Sequence, residues 1–431
     1  MGITIIQKST PRTRKLNPRL ALVLAGGAIT GGAFKLGGLA ALDDVLSNRK
    51  IVDFDVYVGL SAGALVAAPL AAGIPPVELI ETLDGHGDLG EFRVQDFYRP
   101  NLGEFLSKPV DFLTDLAGYF PGALAEVFRR SPETWQRLQE PLRACIDQPG
   151  ADALESLSAE LVRGLETSRS FPFPLNYLPS GVFDNRGIER FLRRGFGSRG
   201  ITNNFRALFR ERGKELYVVA VDLDSAERVV FGHDEDSALT ISEAVQASTA
   251  LPGFYRPARI KGVDYIDGGV RRTANIDVAI EHGADLIIAY NPFRPFNNER
   301  IAGAARGEHG SALADHGLFA VVNQVFRALL HSRLHIGLNQ YRDDPAFQGD
   351  IILIEPTDSD DTFFGMFPLD FWSRRRAAEH GYLSVAGSIA AHRDTLEDVL
   401  RRYGIRMDQG SSEEGLVRMR EALPEPGSAV G

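Results

Sequence analysis

A serine at position 61 lies inside a G-x-S-x-G pattern, with Gly59 and Gly63 on either side. The apolar run 54–58 precedes the pattern and the small-residue stretch 64–72 follows it, which predicts a strand, a sharp turn and a helix. Small neighbours let the backbone turn tightly and leave the hydroxyl accessible, as a nucleophile requires. Ser61 is therefore the candidate nucleophile. The same pattern also occurs in ordinary flexible turns, so the interpretation depends on two further features.

The first feature is a glycine-rich turn after an apolar strand predicted over residues 20–24. The sequence A-G-G-A-I-T-G-G of residues 25–32 leads into a helical pattern, where converging backbone N–H groups favour an anion. That anion could be a dinucleotide pyrophosphate or the oxyanion of an acyl-transfer intermediate. A dinucleotide site expects glycine in place of Ala28 and an acidic residue after the second strand, where this chain has the serine turn. We therefore favour an oxyanion hole formed by the N–H groups of Gly26, Gly27 and Ala28.

The second feature is an aspartate at position 267, in the sequence Y-I-D-G-G at the end of a later predicted strand. A serine hydroxyl is a poor nucleophile until a neighbouring base accepts its proton. A carboxylate can do so if desolvation raises its low pKa. Asp267 is therefore the candidate base, and Gly268 and Gly269 form its turn. Asp-Gly-Gly is also frequent in turns without any catalytic role.

Together, these three motifs resemble the patatin-like phospholipases, a family of lipid acyl hydrolases. The resemblance covers about residues 18–75 and 180–292 and includes the helix and Pro turn of residues 242–253. It implies a three-layer α/β/α fold with a mostly parallel central sheet. It also implies hydrolysis of carboxylic esters of phospholipids or other lipids through an acyl-enzyme on Ser61. Asp267 would accept the proton in a dyad that needs neither histidine nor cofactor.

Two positions depart from the family's pattern. Ala28 stands where the family usually has glycine, which would strain the turn if that site needs a positive φ. Thr30 stands where many members carry Arg or Lys. These departures leave open an alternative, a non-catalytic lipid-binding or scaffold protein that retains the fold.

Histidines offer a rival mechanism and a rival kind of site. A Ser-Asp-His order would place the base among the later histidines, none of which lies in a recognisable loop after a strand. His331 and His335 have the i, i+4 spacing of a zinc helix, but Ser332 stands where that motif has glutamate. The sequence therefore predicts no metal site. The histidines considered for the triad are His282, His309, His316, His331, His335, His380 and His392.

Composition fits a globular enzyme, and the length indicates either two to three domains or one domain with insertions. The chain has 431 residues, of which 44% are hydrophobic and 24% charged. We predict a flexible basic arm over 1–17, a catalytic domain over 18–408 and a disordered tail over 409–431. The domain includes a helical insertion, 80–182, and a C-terminal helical extension, 293–408. The insertion is rich in aromatic residues and either covers the serine as a lid or packs as an ordinary helical layer.

The remaining predictions concern location and partners. One cysteine, Cys145, excludes an intramolecular disulfide and fits a reducing compartment such as the cytoplasm. The net charge of −10 and the lack of a recognition motif argue against nucleic acid. The expected partner is a lipid ester. A peripheral contact between the basic arm and an anionic membrane surface is left open beside a simple disordered terminus, and so is the oligomeric state.

Overall fold

The computed structural model describes residues 2–9, 15–83, 87, 89–90, 92–115, 139–141, 143–144, 147, 174–297, 312–357, 360–408 and 412–421. The chain forms two compact units. The first unit combines Met1–Arg99 with Phe183–Gly431, and the second is Pro100–Val182.

The regular elements follow one another from the first residues to the last described helix. The strands are β1 (Gly2–Gln7), β2 (Leu20–Leu24), β3 (Val56–Leu60), β4 (Arg99–Pro100), β5 (Gly181–Asp184), β6 (Glu215–Asp222), β7 (Arg228–Phe231), β8 (Gly253–Tyr255), β9 (Ala258–Ile260), β10 (Val263–Asp267), β11 (Leu286–Tyr290) and β12 (Asp350–Glu355). The helices include α1 (Ala28–Val45), α2 (Ala62–Ala71), α3 (Pro76–Leu83), α4 (Val94–Phe97), α5 (102–115), α6 (Arg186–Ser198), α7 (Phe205–Arg212), α8 (Ile241–Ser248), α9 (Ile276–Glu281), α10 (Gly317–Asp343), α11 (Asp361–Phe364), α12 (Arg374–Ala391), α13 (Arg393–Arg402) and α14 (Ser412–Glu421).

A nine-stranded mixed sheet forms the centre of the first unit. Its order is β1-β12-β11-β2-β3-β6-β10-β9, and β7 pairs with β6. The five strands from β12 to β6 run parallel, whereas β1, β7, β9 and β10 pair antiparallel. The central strands β2, β3, β11 and β12 are buried throughout because helices cover both faces of the sheet.

Strand β2 shows how the two faces differ. Leu20, Leu22 and Leu24 point to a core shared with α1, α2 and α12. Ala21 and Val23 point to a second core shared with α9 and α10. The predicted three-layer α/β/α fold with a mostly parallel sheet is confirmed.

Helices α1 and α12 touch through their backbones. A Cβ atom on Gly37 of α1 would lie 1.8 Å from the carbonyl oxygen of Ala378, and one on Gly381 of α12 would lie 2.0 Å from that of Phe34. The crossing therefore depends on glycine in both helices. Among the described residues, no helix is both long enough and apolar enough to cross a membrane.

Parts of the predicted arm and of the predicted tail form regular elements, and residues 1, 10–14, 409–411 and 422–431 lie outside the described residues. Residues 2–7 of the predicted arm form β1, whose isoleucines and threonine suit a strand and which pairs antiparallel with β12. In the predicted tail, residues 412–421 form α14. Met419 of this helix is buried and Arg418 pairs with Asp44 of α1, so packing stabilises a helix of otherwise polar sequence.

The second unit contains α5 and the returning segment 174–182. The Tyr177 hydroxyl donates to the Asp115 carboxylate over 2.7 Å, and the Ser180 hydroxyl donates to Glu104 over 2.9 Å. Most of the predicted insertion, including 116–138 and 148–173, lies outside the described residues. The choice between a lid and a packing layer therefore stays a prediction.

Candidate active site

Strand register brings the ends of β3 and β10 together. Leu60, the last residue of β3, pairs with Val219 of β6, and Asp267, the last residue of β10, pairs with the next residue, Ala220. Strand β7 pairs with the same two β6 residues and therefore occupies one edge of β6. Strands β3 and β10 both lie along the opposite edge of β6, one after the other. Since β3 runs parallel to β6 and β10 antiparallel, their carboxyl ends meet on one edge. Ser61 directly follows β3 and so lies at this meeting point.

Ser61 has the strained backbone of a tight strand-to-helix turn. Its φ of 53° and ψ of −132° are rarely adopted by residues other than glycine, and such strain clusters at functional sites. Its N–H donates to the Ser248 Oγ atom over 2.8 Å. A Cβ on Gly63 would lie 2.0 Å from the Leu24 carbonyl oxygen, and one on Gly59 would lie 2.6 Å from a Cα atom of α2. Both glycines are therefore required by close backbone contacts.

Asp267 is a buried carboxylate that lies close enough to the Ser61 hydroxyl for that group to lower its pKa. Its Oδ1 atom also accepts the N–H of Gly269 over 2.8 Å. Gly268 fits only because it lacks a Cβ atom, which would lie 2.3 Å from a β6 carbonyl oxygen. Burial raises the pKa of Asp267 to about 6, against the opposing effects of Ser61, the Gly269 N–H and the charge of Lys35. The carboxylate is thus ionised at neutral pH and yet a stronger base than an exposed aspartate.

The glycine-rich turn lies directly beside Ser61. A Cβ on Gly26 would lie 3.1 Å from the Ser61 Cβ atom. Gly27 has a φ of 145° and Ala28 one of 54°, so the site does impose a positive φ on the alanine that departs from the family's pattern. Within the described residues, the backbone N–H groups of Gly26, Gly27 and Ala28 have no hydrogen-bond acceptor. These donors at the start of α1 are available to an anion.

Lys35 holds the carbonyl oxygens of this turn. The sequence does not predict it as a site residue. Its side chain is fully buried, and its ammonium group donates to the carbonyl oxygens of Ala25 and, over 2.8 Å, Gly26. In a trans peptide the C=O and the following N–H point in opposite directions. Holding these two carbonyls therefore directs the N–H groups of Gly26 and Gly27 away from Lys35. Burial lowers the pKa of Lys35 to about 7, and the charge of Asp267 opposes that shift.

Thr30 contributes no charge to the turn. Its N–H and its hydroxyl both donate to the carbonyl oxygen of Pro368, each over 3.1 Å. The positive charge near the turn comes instead from Lys35. The sequence signal for Lys35 is a lysine between Phe34 and Leu36 in an apolar, glycine-rich helix, where a charged side chain has no obvious solvent face.

An apolar cavity opens beside Ser61 on the α1 and α2 side of the sheet. Its volume is about 90 Å³, which corresponds to roughly six to nine water-sized groups. Only a few polar side chains, Ser61 among them, contribute to the lining. A narrow, mostly apolar cavity of this kind suits a hydrocarbon group. Apolar lining residues include Leu36, Leu65, Val66, Leu79, Phe92 and Phe191.

The histidines considered for a triad interact elsewhere. His380 pairs with Asp360 over 2.7 Å, His392 bonds the Ser388 carbonyl, and His282 packs on Tyr217. His309 lies outside the described residues. His282, His380 and His392 thus each have their partner away from Ser61, and the carboxylate next to the serine is that of Asp267.

The chain is similar to known proteins in sequence and in structure. The chain is 26% identical over 104 residues to "Probable lipid hydrolase 463L" of Invertebrate iridescent virus 6, a match that covers 24% of this chain and 36% of the viral protein. It is similar to the crystal structure of VipD from Legionella pneumophila, with 18% identity, a TM-score of 0.38 and coverage of 98% of this chain and 77% of VipD. For human GIVD cytosolic phospholipase A2 in complex with methyl gamma-linolenyl fluorophosphonate, the identity is 13%, the TM-score 0.31 and the coverage 90% of this chain and 59% of that one.

The family comparison covers a larger part of the chain than the viral relative does. This chain spans about a third of the length of that curated relative, 36%. The family model of the patatin-like phospholipases matches residues 22–280. That range is more than half of the 431 residues and includes Ser61, Asp267 and the glycine-rich turn, so the chain belongs to the patatin-like phospholipase family.

Proposed function

We propose that the protein is a serine acyl hydrolase that cleaves carboxylic esters of phospholipids or other lipids. The observation that carries the proposal is the register of β3 and β10 along β6, which brings Ser61 next to the buried carboxylate of Asp267. Family membership supports a lipid ester as the substrate class.

The reaction uses the pair twice. Asp267 accepts the hydroxyl proton while the Ser61 oxygen attacks the ester carbonyl, and the N–H groups of Gly26, Gly27 and Ala28 bind the oxyanion. The intermediate collapses to an acyl-enzyme, and Asp267 returns the proton to the departing alkoxide. Asp267 then accepts a proton from water, which attacks the acyl-enzyme. The fatty acid leaves, and Ser61 regains its proton.

The cavity supplies the place for the acyl chain. It begins at Ser61 and is lined mainly by aliphatic and aromatic side chains, so an alkyl group enters without losing hydrogen bonds. A substrate of this kind resides in a membrane or a micelle, so the proposal includes a peripheral contact with a lipid surface.

The test is a lipid-hydrolysis screen that compares wild type with Ser61→Ala and Asp267→Asn. We expect fatty-acid release by wild type and a loss of several orders of magnitude, about 10³-fold or more, in each variant. The double variant should be no slower than the worse single one, because the two residues act as one unit. Near-full hydrolysis by Ser61→Ala would refute the proposal.

A non-catalytic lipid-binding protein is the second candidate. It is favoured by the positive φ of Ala28, since strain in the oxyanion turn is compatible with a site that no longer catalyses. A fluorophosphonate probe separates the two candidates because it labels only an activated serine. Labelling of wild type that is lost in Ser61→Ala supports the hydrolase, and lipid binding without labelling supports the binding protein.

A further inference from the structure

We propose that His331, His335 and Glu355 form a zinc-binding site, separate from the serine and aspartate of the proposed reaction. The sequence alone predicts no metal here because Ser332 stands where a zinc helix has its glutamate. The structure supplies a carboxylate from another element, at the end of β12 and 20 residues beyond His335.

The three candidate ligand atoms converge from two elements. The Nε2 atom of His335 lies 3.2 Å and that of His331 lies 3.9 Å from the Oε2 atom of Glu355. All three ligand atoms lie within 4.8 Å of one another, and the imidazole rings are 4.2 Å apart between centroids. In a tetrahedral zinc site with the usual bond lengths, neighbouring ligand atoms are about 3.3 to 3.5 Å apart. Small rotations of the two histidines therefore suffice to reach that geometry.

The charge and burial of Glu355 favour a cation at this point. Its side chain is 4% exposed, and a buried carboxylate is costly unless it is paired with positive charge. Two neutral imidazoles supply no positive charge, two protonated rings at this distance would repel each other, and one protonated ring would pair with the carboxylate without engaging the other ring. A divalent ion compensates the carboxylate while both histidines bind as neutral ligands. The side chains of His331 and His335 are 24% and 39% exposed, so solvent can supply a fourth ligand.

The carboxylate is also oriented as a metal ligand should be. Asn291 donates its side-chain N–H to the Oε1 atom of Glu355 over 2.8 Å, which leaves Oε2 facing both histidines. Such outer partners fix the orientation of first-sphere ligands and affect metal affinity. His331 and His335 lie one turn apart on α10, the arrangement in which two histidines of one helix bind the same zinc ion.

Asn291 also connects this cluster with the glycine-rich turn. Its amide donates to the Phe293 carbonyl over 3.0 Å, and the Phe293 ring would lie 3.0 Å from a Cβ atom on Gly26. Zinc bound by Glu355 would thus restrain Asn291 and, through Asn291, the Phe293 ring that packs against the glycine-rich turn. The bound ion would therefore join α10 to the end of β12 and stabilise the contact between these two elements.

The experiment measures metal binding and needs no substrate. Full-length protein without an affinity tag is stripped with a chelator and titrated with Zn²⁺ against a chromophoric chelator. We expect wild type to bind a single ion, and His331→Ala, His335→Ala and Glu355→Gln each to weaken binding by at least about 100-fold. The matched control His392→Ala removes an exposed histidine from α12's end and should bind like wild type.

Two further readouts keep the test independent of folding defects. Co²⁺ bound to wild type should give the intense visible absorption of tetrahedral coordination, and Zn²⁺ should raise the melting temperature of wild type and of His392→Ala only. Glu355→Gln keeps the size of the side chain and should retain the circular dichroism spectrum. The proposal is overturned if wild type does not compete for the ion, or if the three ligand variants bind it as tightly as the control.

Discussion

The proton affinity of Asp267 sets the pH range in which the proposed reaction works. Burial raises its pKa to about 6, so the group is a protonated acid below that pH and an accepting carboxylate above it. We expect kcat/KM for a short-chain ester to rise with pH and to level off above an apparent pKa of about 6. Initial rates from about pH 4.5 to pH 8 measure this profile. A midpoint near the ordinary aspartate value would show that another group controls the rate.

Lys35 is a second single residue that affects the proposed reaction, and it does so by holding the backbone of the glycine-rich turn. Lys35→Met keeps much of the side chain's length and removes the donors to the Ala25 and Gly26 carbonyls. We expect kcat to fall about 10-fold to 100-fold with little change in KM, because misdirected N–H groups bind the transition state less well.

Stability separates this positioning role from a general folding defect. Replacing a desolvated ammonium group by an apolar side chain removes its desolvation cost, which offsets the loss of the donor to the two carbonyl oxygens. The melting temperature of Lys35→Met should therefore stay close to that of wild type or rise. Removing the charge should also move the midpoint of the pH profile upward, since Lys35 lowers the pKa of Asp267. An unchanged kcat would contradict the role.

At the scale of elements, the start of α1 contains a testable strain. Ala28 has a φ of 54°, which costs an L-residue about 1 to 2 kcal/mol relative to the right-handed region. Ala28→Gly should therefore increase the free energy of unfolding by about 0.5 to 1 kcal/mol, even after the entropy of the more flexible unfolded chain is counted. Chemical denaturation measures the difference.

The control substitution Ala40→Gly, in the same helix, should lower the free energy of unfolding instead of raising it. Ala40 lies inside α1, where glycine lowers stability by about 1 kcal/mol. If both substitutions destabilise the protein equally, the turn at Ala28 is not strained.

The elements also show which features the sequence could predict. Ser61 and Asp267 could be predicted from the sequence because the glycines next to them are required by local contacts, such as that of Gly63 with the Leu24 carbonyl oxygen. The register that joins them was not, since it depends on adjacent residues of β6, more than 150 positions beyond Ser61 in the sequence. Strand β1 could not be predicted for the same reason, because its partner β12 is distant in the sequence: Gly2 lies opposite Glu355.

Buried polar groups were the other feature that local patterns missed. Lys35 counts as one of several basic residues in the sequence, and only the fold shows that carbonyl oxygens surround its ammonium group. The i, i+4 histidines of α10 were visible, but their acidic neighbour comes from β12. In each case the partner is defined by packing and not by spacing along the chain.

At the scale of the whole first unit, the proposed catalytic residues lie at the carboxyl ends of the sheet strands, and the apolar cavity lies on one face of the sheet. The glycine-rich turn follows β2 and Ser61 follows β3, so both lie at the carboxyl ends of parallel strands, where ligands bind in open α/β sheets. The cavity lies in the layer formed by α1, α2, α3 and α6. In the proposed reaction, the depth of that layer would limit the length of the acyl chain.

The cavity gives a prediction about chain length that belongs to this scale. Ala33 of α1 lines the cavity, so Ala33→Leu would fill part of the 90 Å³ beside Ser61. We expect kcat/KM for long-chain esters to fall about 10-fold or more, while a two- or four-carbon ester, which does not need the space, is hydrolysed nearly as fast as by wild type. The short ester is the control within the same variant, since a misfolded protein would lose both activities. A uniform loss across chain lengths, with a wild-type melting temperature, would show that the acyl chain binds elsewhere.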